Sequence, residues 1–294
     1  MLNGVGFLII LGCVFGSFIV SGGKLGVIIE ALPHELVAIL GASIGAFVVS
    51  NSLPTVKLAG KGLLRAFKGP KWKNDTYREL LTLMFALLTT FKKGGATGIE
   101  PHLDAPEESS IFSRHAKVLA DHHLVEFTCD YLRMMTVSFD DPNQISEAMD
   151  ADIERHHAEE HLPHHALQSM ADGLPAIGIV AAVLGVIKTM ASIDQPTEVL
   201  GAMIGGALVG TFLGVLLSYC VVGPLASKLG ETIGEDSRCY TIVKTAIVAY
   251  AQGVAVQVAV ELARRQTPSL HAPSFQQLEE ALQEAKHELA AVPA

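Results

Sequence analysis

Residues 1 to 23 carry no charged side chain, and two more charge-free stretches run from Leu36 to Val56 and from Val199 to Val222. Each is long enough to cross a ~30 Å hydrocarbon layer as a helix. A further apolar stretch, "DGLPAIGIVAAVLGVIKTM" at 172–190, encloses 15 uncharged residues between Asp172 and Lys188. The lysine side chain can reach the far interface, which lets this helix run to about Ile193. The pattern therefore predicts four spanning helices. Between the second and third, apolar residues recur at helical spacing in "TYRELLTLMFALLTTFKK", "IFSRHAKVLADHHLVEFTCDYLRMM" and "QISEAMDADIERHHAEEHLPHHALQSM". Asp75, Ser109 and Asn143 are the expected N-caps of these three. In "PTVKLAGKGLLRAFKG" the helical period puts Lys57, Lys61, Arg65 and Lys68 on one face, with Leu58, Leu63, Leu64 and Phe67 elsewhere. That predicts an amphipathic helix on anionic headgroups, and the same charges also serve as a plain positive anchor.

The fold class that follows is an all-α membrane protein of two hairpins, with a helical cytoplasmic domain inserted between spans two and three. The expected boundaries are 1–51 for the first transmembrane hairpin, 52–171 for the cytoplasmic domain, 172–224 for the second hairpin and 225–294 for a cytoplasmic helical tail. Composition agrees: 50% of the 294 residues are hydrophobic and 17% charged, too oily for an ordinary soluble domain. Of the 21 Lys and Arg, 13 lie between Lys57 and Arg155 and six after Val222, which places the insert, the tail and both termini on the cytoplasmic side. The net charge of -9 does not disturb this, because orientation follows Lys and Arg near the spans. The first span has neither a basic start nor a clear small-residue cleavage site, so it is expected to be retained. Cys13, Cys129, Cys220 and Cys239 have no spacing of a disulfide framework or zinc site and are expected as free thiols.

The third and fourth stretches are rich in small residues. Gly178, Ala181, Ala182 and Gly185 share a helix face, and Gly206, Gly210 and Gly214 repeat every four residues. Small residues at this spacing let membrane helices approach closely, either within one subunit or around a partner helix. Pro175 and Pro224 sit at the cytoplasmic ends of the two stretches, where a missing donor sets a bend. An ion pathway ordinarily carries a buried Asp, Glu or His, and neither stretch holds one. Thr211, Ser218 and Tyr219 are the polar side chains of the fourth. If the chain conducts ions, the titrating group is expected from another chain.

The order of these blocks, with "GFLIILGCVFGSFIVSGGKLG", "DGLPAIGIVAAVLGVI", "VGTFLGVLLSYCVVGPLA" and "PSFQQLEEAL", resembles the MotA family of flagellar stator subunits within the MotA/TolQ/ExbB proton-channel superfamily. The resemblance implies an inner-membrane complex in which five such subunits, a homopentamer, surround two copies of MotB, whose single helix supplies the titrating Asp. It implies that Pro175 and Pro224 couple ion flow to torque, and that Gly178, Ala182, Gly185, Gly210, Thr211 and Gly214 line the pore. Ala182 stands where sodium-driven relatives have a threonine, which favours the proton as coupling ion over sodium. In "KKGGATGIE", Lys92 and Glu100 match the charges that contact the rotor protein FliG, and Lys93 shares the assignment. Lysine replaces the arginine of the best-known members, which keeps the charge and loses the planar fork. No cofactor is implied.

Other features carry less. In "ERHHAEEHLPHH", His157, His161 and His165 follow at four-residue spacing that can seat zinc, but Pro163 is expected to interrupt the helix and no further fixed ligand is evident. No metal is expected there; a solvated or pH-responsive cluster fits the tract. No phosphate loop, nucleophile elbow or basic aromatic patch is present, so neither an enzyme nor a nucleic-acid binder is expected. The competing readings are an ExbB/TolQ-type energiser, which has three spans, a secondary transporter, for which no inverted repeat is visible, and a structural membrane scaffold.

Overall fold

The computed structural model describes residues 2–139 and 141–291, and among them every regular element is helical. The chain divides into two compact units, one of residues 1–69 and 160–232 and one of residues 70–159 and 233–294. These units follow contacts, whereas boundaries drawn from hydropathy mark where the chain turns apolar. The two sets therefore differ.

The first unit holds α1 (Leu2–Val20), α2 (Leu25–Ser50), α3 (Leu53–Lys68), the later part of α7 (Pro142–Met190), α8 (Thr197–Leu217) and most of α9 (Gly223–Asp236). Three stretches, Leu25–Ser50, Pro142–Met190 and Thr197–Ala251, are long and apolar enough to cross a membrane, and Gly4–Val20 is a shorter apolar helix. Large apolar side chains face outward along them, among them Leu8, Val37, Val49, Val180, Leu184 and Leu208. Contiguous exposed apolar surface on this scale suits lipid or a protein partner rather than water. A small core of Ile39, Leu174, Ala181 and Leu213 ties α2, α7 and α8 together. Helix α3 starts at the Ser52 cap, whose hydroxyl accepts from the Thr55 N–H. It buries Ala59, Gly62 and Ala66 and leaves Leu58, Leu64 and Phe67 exposed. Arg65, however, turns to Glu160, 2.9 Å away, instead of joining an open basic face.

The second unit is built on α4 (Asn74–Asp104), α6 (His122–Thr136), α10 (Arg238–Ala251), α11 (Val256–Arg264) and α12 (Phe275–Ala291), with short α5 (Ala116–Leu119) beside them. Its core runs along α4 from Tyr77 to Leu88 and takes in Leu124, Leu132, Ile242, Val243, Val260 and Leu278. Trp72 is buried against the Tyr77 ring, and the Asp236 carboxylate accepts from the Lys71 and Trp72 N–H groups. The capping expectations need correction. Helix α4 begins one residue before Asp75, which lies in its first turn. Asp141 rather than Asn143 caps α7, accepting from the Asn143 and Gln144 N–H groups. Ser109 precedes a 3-10 turn at 112–114 whose N-cap position is Ile111, and its Oγ accepts from the Ile111 and Phe112 N–H groups. Nor does Pro163 break the chain, since α7 passes through both Pro163 and Pro175.

Candidate functional site

Helices α7 and α8 cross at their glycines. A Cβ placed on Gly178 would lie 2.8 Å from the Gly210 carbonyl oxygen and 3.0 Å from the Gly214 Cα, and one on Gly185 would lie 2.6 Å from the Ala207 Cβ. Gly178, Gly185, Gly210 and Gly214 thus serve a close backbone contact inside this chain, where only a missing side chain permits the approach. Ala182 and Thr211 flank that contact and are half-buried. No ionisable residue lies between Asp172 and Lys188 of α7 or from Val199 to Leu217 of α8, as the hydropathy indicated.

One acidic group nevertheless reaches this place. Glu35 of α2 puts its Oε2 2.6 Å from where a Gly210 Cβ would be. That oxygen is buried, with no hydrogen-bond partner among the described residues. Sequence reasoning missed it because the charge-free window was opened after Glu35. The signal that could have found it is the helical register, which continues upstream through His34 and Glu35 to Leu25.

The Pro175 and Pro224 ends of the two helices are built differently. Pro175 sits within continuous α7, next to Leu174, whose carbonyl oxygen closes on Gly214. Between α8 and α9 the chain makes a π-helical turn, Ser218–Val222, in which the Gly223 N–H bonds to the Ser218 carbonyl five residues back. Pro224 follows at once and offers no N–H to the carbonyl of Cys220, so no α-helical bond closes at that position. Gly223 is needed there as well, since a Cβ would stand 2.7 Å from the Ser218 oxygen.

Lys92, Lys93 and Glu100 are exposed on α4, which bends sharply at Gly95, where φ is 61° and ψ -153°. The bend separates Lys92 and Lys93 on one arm from Glu100 on the other, and the positive φ suits glycine. A cavity of about 1180 Å³ opens beside the first arm, lined by Arg78, Thr82, Lys93, His102 and His115 among others. His115 is fixed there by Ile111 and Thr82, and burial lowers the pKa of His102, which is hydrogen-bonded to Ser109.

The histidine tract does not assemble a metal centre, and no group of three or more His, Cys, Asp or Glu able to hold a metal is present among the described residues. Instead the rings of His161, His164 and His165 pack on one another, and the His164 Nδ1–H donates to the Ala226 carbonyl at 2.8 Å. All four cysteines are free. Burial pushes the Cys129 thiol up to about 12 and raises that of Cys239, so both stay neutral and poorly nucleophilic near neutral pH.

Residues 4–95 match the family described as "Motility protein A N-terminal", and residues 119–240 match the "MotA/TolQ/ExbB proton channel family". The chain is 38% identical to Motility protein A of Escherichia coli K12 over 287 residues, covering 98% of this chain and 97% of that one. The chain belongs to the Motility protein A family. Another member, from Salmonella typhimurium, is 39% identical over 95% of this chain and 94% of its own, and Chemotaxis protein LafT of Vibrio parahaemolyticus is 34% identical over 95% and 98%. Two solved assemblies share the MotA fold. The Campylobacter jejuni MotAB structure has a TM-score of 0.70 at 19% identity, covering 91% of this chain and 95% of that one. The Bacillus subtilis MotAB stator complex has a TM-score of 0.67 at 18% identity, covering 94% and 98%.

Proposed function

We infer that this MotA-family chain is a stator subunit of the bacterial flagellar motor, a non-enzymatic membrane protein that works with MotB as a proton channel. The observation that carries this is the near full-length identity to Motility protein A of Escherichia coli, supported by the MotAB fold. The finer reading is a homopentamer around two MotB copies in the inner membrane, crossing it four times with both termini cytoplasmic. The exposed apolar faces of α1, α2, α7 and α8 and the placement of Lys and Arg support it. In this reading residues 1–51 and 172–224 form the two hairpins, while 52–171 and 225–294 form the cytoplasmic part.

The mechanism we propose follows from the contact geometry. Glycine-to-glycine packing of α7 on α8 makes a stiff, thin wall, with Ala182 and Thr211 bordering the pathway. A proton taken up by the MotB acid removes a buried charge and changes which wall position the MotB helix prefers. Pro175 and the π-turn before Pro224 supply two places at the cytoplasmic end where helix direction adjusts without breaking the upper contact. Movement is passed to FliG by solvated charges at Lys92, Lys93 and Glu100, each worth only ~0–1 kcal/mol and so able to engage and release repeatedly. Ala182 in place of a threonine hydroxyl supports the proton over sodium.

The test is complementation of a non-motile deletion strain with this gene, swum with and without sodium and with a protonophore. Recovery that survives sodium removal and stops with the protonophore is expected. No recovery in the presence of a matching MotB would sink the assignment.

A further inference from the structure

The group on this chain that none of the assigned roles uses is Glu35. It lies ten residues into α2 and faces Gly210, thirteen residues into α8, so at ~1.5 Å per residue it sits ~15–20 Å from either helix start. In a ~30 Å hydrocarbon layer that is the middle depth. A carboxyl at such depth is costly and marks a pathway or a paired site by default.

Its buried oxygen finds no hydrogen-bond partner among the described residues. A Cβ on Gly210 would touch Glu35 Oε2 at 2.6 Å, the Ala181 Cβ at 3.2 Å and the Ala182 nitrogen at 3.2 Å, so the carboxyl occupies the notch where α2, α7 and α8 meet. On α2 itself the nearby ionisable groups are Glu30 and His34, both exposed. Across from it, α8 offers only Glu198 in its first turn, and α7 offers none between Asp172 and Lys188. Ser43, two turns further along α2, is a second side chain whose oxygen is buried and unpartnered among the described residues. Buried polar groups ordinarily find partners, and two on one α2 helix mark this seam as built for something besides apolar packing. Among the described residues the one cationic group acting on Glu35 is the exposed imidazole of His34, and no Lys or Arg does, so the ligand that fits this notch is a proton.

We propose that Glu35, seated in the Gly210 notch, is a proton-binding site of this chain itself, in exchange with the pathway that passes Ala182 and Thr211. A hydronium in the pathway transfers its proton to the Glu35 carboxylate and leaves as water; release runs the same step backward. Loading makes the acid neutral and lets α2 stay packed on α8. Unloading leaves a charge that draws water to the seam, so proton occupancy and the α2–α8 contact are linked. The proposal rests on the stator reading and adds to it an acid carried by the ring wall, beside the one on the partner.

The experiment uses the complete complex with its MotB partner, reconstituted in vesicles and compared with Glu35→Gln and Gly210→Ala. Proton influx under an imposed potential is followed by an internal pH dye, and pH-difference infrared spectra are recorded on the same samples. With membrane abundance and partner co-purification unchanged, Glu35→Gln is expected to lower influx several-fold and to remove one titrating carboxyl C=O band. Gly210→Ala, which fills the notch, is expected to shift the Glu35 carboxyl band in the infrared titration, a change absent when Gly210→Ala is made in the Glu35→Gln background. Should the Gln variant fail to accumulate, Glu35→Asp keeps the carboxyl and must shift that band instead of deleting it. Influx and infrared titration identical to the parent in these variants would overturn the proposal. A parent gene that restores no swimming would count against the stator reading alone, whatever the spectra show.

Discussion

Gly178 of α7 and Gly214 of α8 meet backbone to backbone, a Cβ on the first standing 3.0 Å from the second's Cα and a Cβ on the second 2.8 Å from the first's. Neither atom in the way is a flexible side-chain end, so a methyl group here cannot be absorbed by rotamer change. Gly178→Ala and Gly214→Ala are each expected to destabilise the α7–α8 pair by about 1–3 kcal/mol through overpacking. Thermal unfolding of the purified complex measures it, and an unchanged midpoint in both variants would mean the helices part more easily than this contact implies.

Pro175 and Pro224 are expected to matter for motion and little for assembly. Pro224→Ala restores an N–H opposite the Cys220 carbonyl and lets α-helical register compete with the π-turn at Ser218–Val222. Both alanine variants should reach the membrane and retain MotB at parental levels while swimming speed falls. Parental swimming in both would remove the prolines from the coupling step.

Lys92 and Lys93 stand exposed on one arm of the bent α4 and Glu100 on the other. Reversal of both lysines to glutamate is expected to reduce torque, with partial recovery when the facing rotor charges are reversed as well. Because solvated pairs are screened over ~8–10 Å at physiological salt, each single reversal should act weakly. A double reversal that leaves torque in tethered-cell assays unaltered would move the rotor contact elsewhere.

Glu261 and Arg264 form a two-armed pair, both contacts at 2.7 Å, and Arg264 also donates to the Pro273 carbonyl. The hydrogen bond from Arg264 holds the Glu261 carboxyl below its ordinary value of 4.5. A depressed acid stabilises the fold fully above that ordinary value and loses its contribution as pH falls through the depressed one. Glu261→Gln should therefore cost about 1–3 kcal/mol at neutral pH, with the difference from the parent shrinking as pH falls below about 4.5. Denaturation at several pH values checks the sign; a gap that widens in acid would contradict it.

Much of the architecture was legible in the chain itself. Apolar runs free of charge marked the helices with outward-facing apolar side chains, and period 3.6 marked those packed around α4. Both signals survive folding because they depend on solvent, not on neighbours. The glycines at 178, 185, 210 and 214 were also visible as a small face, yet a one-dimensional period cannot say which helix that face meets. The exact caps were less legible, since Asp141 and Asn143 are equally good capping residues and backbone direction at the entry to α7 selects between them.

What the sequence by itself determined is the all-helical class, the family and the set of segments oily enough for a membrane, because these follow from side-chain chemistry summed along the chain. Only the tertiary structure decided that α7 and α8 spend their glycines on each other, that a π-turn precedes Pro224, and that Glu35 comes to rest at Gly210. A hydropathy window stops at a charge as if water must surround it. The folded chain brings α2 against a residue with no side chain, and the space left there is what lets a carboxyl enter the seam.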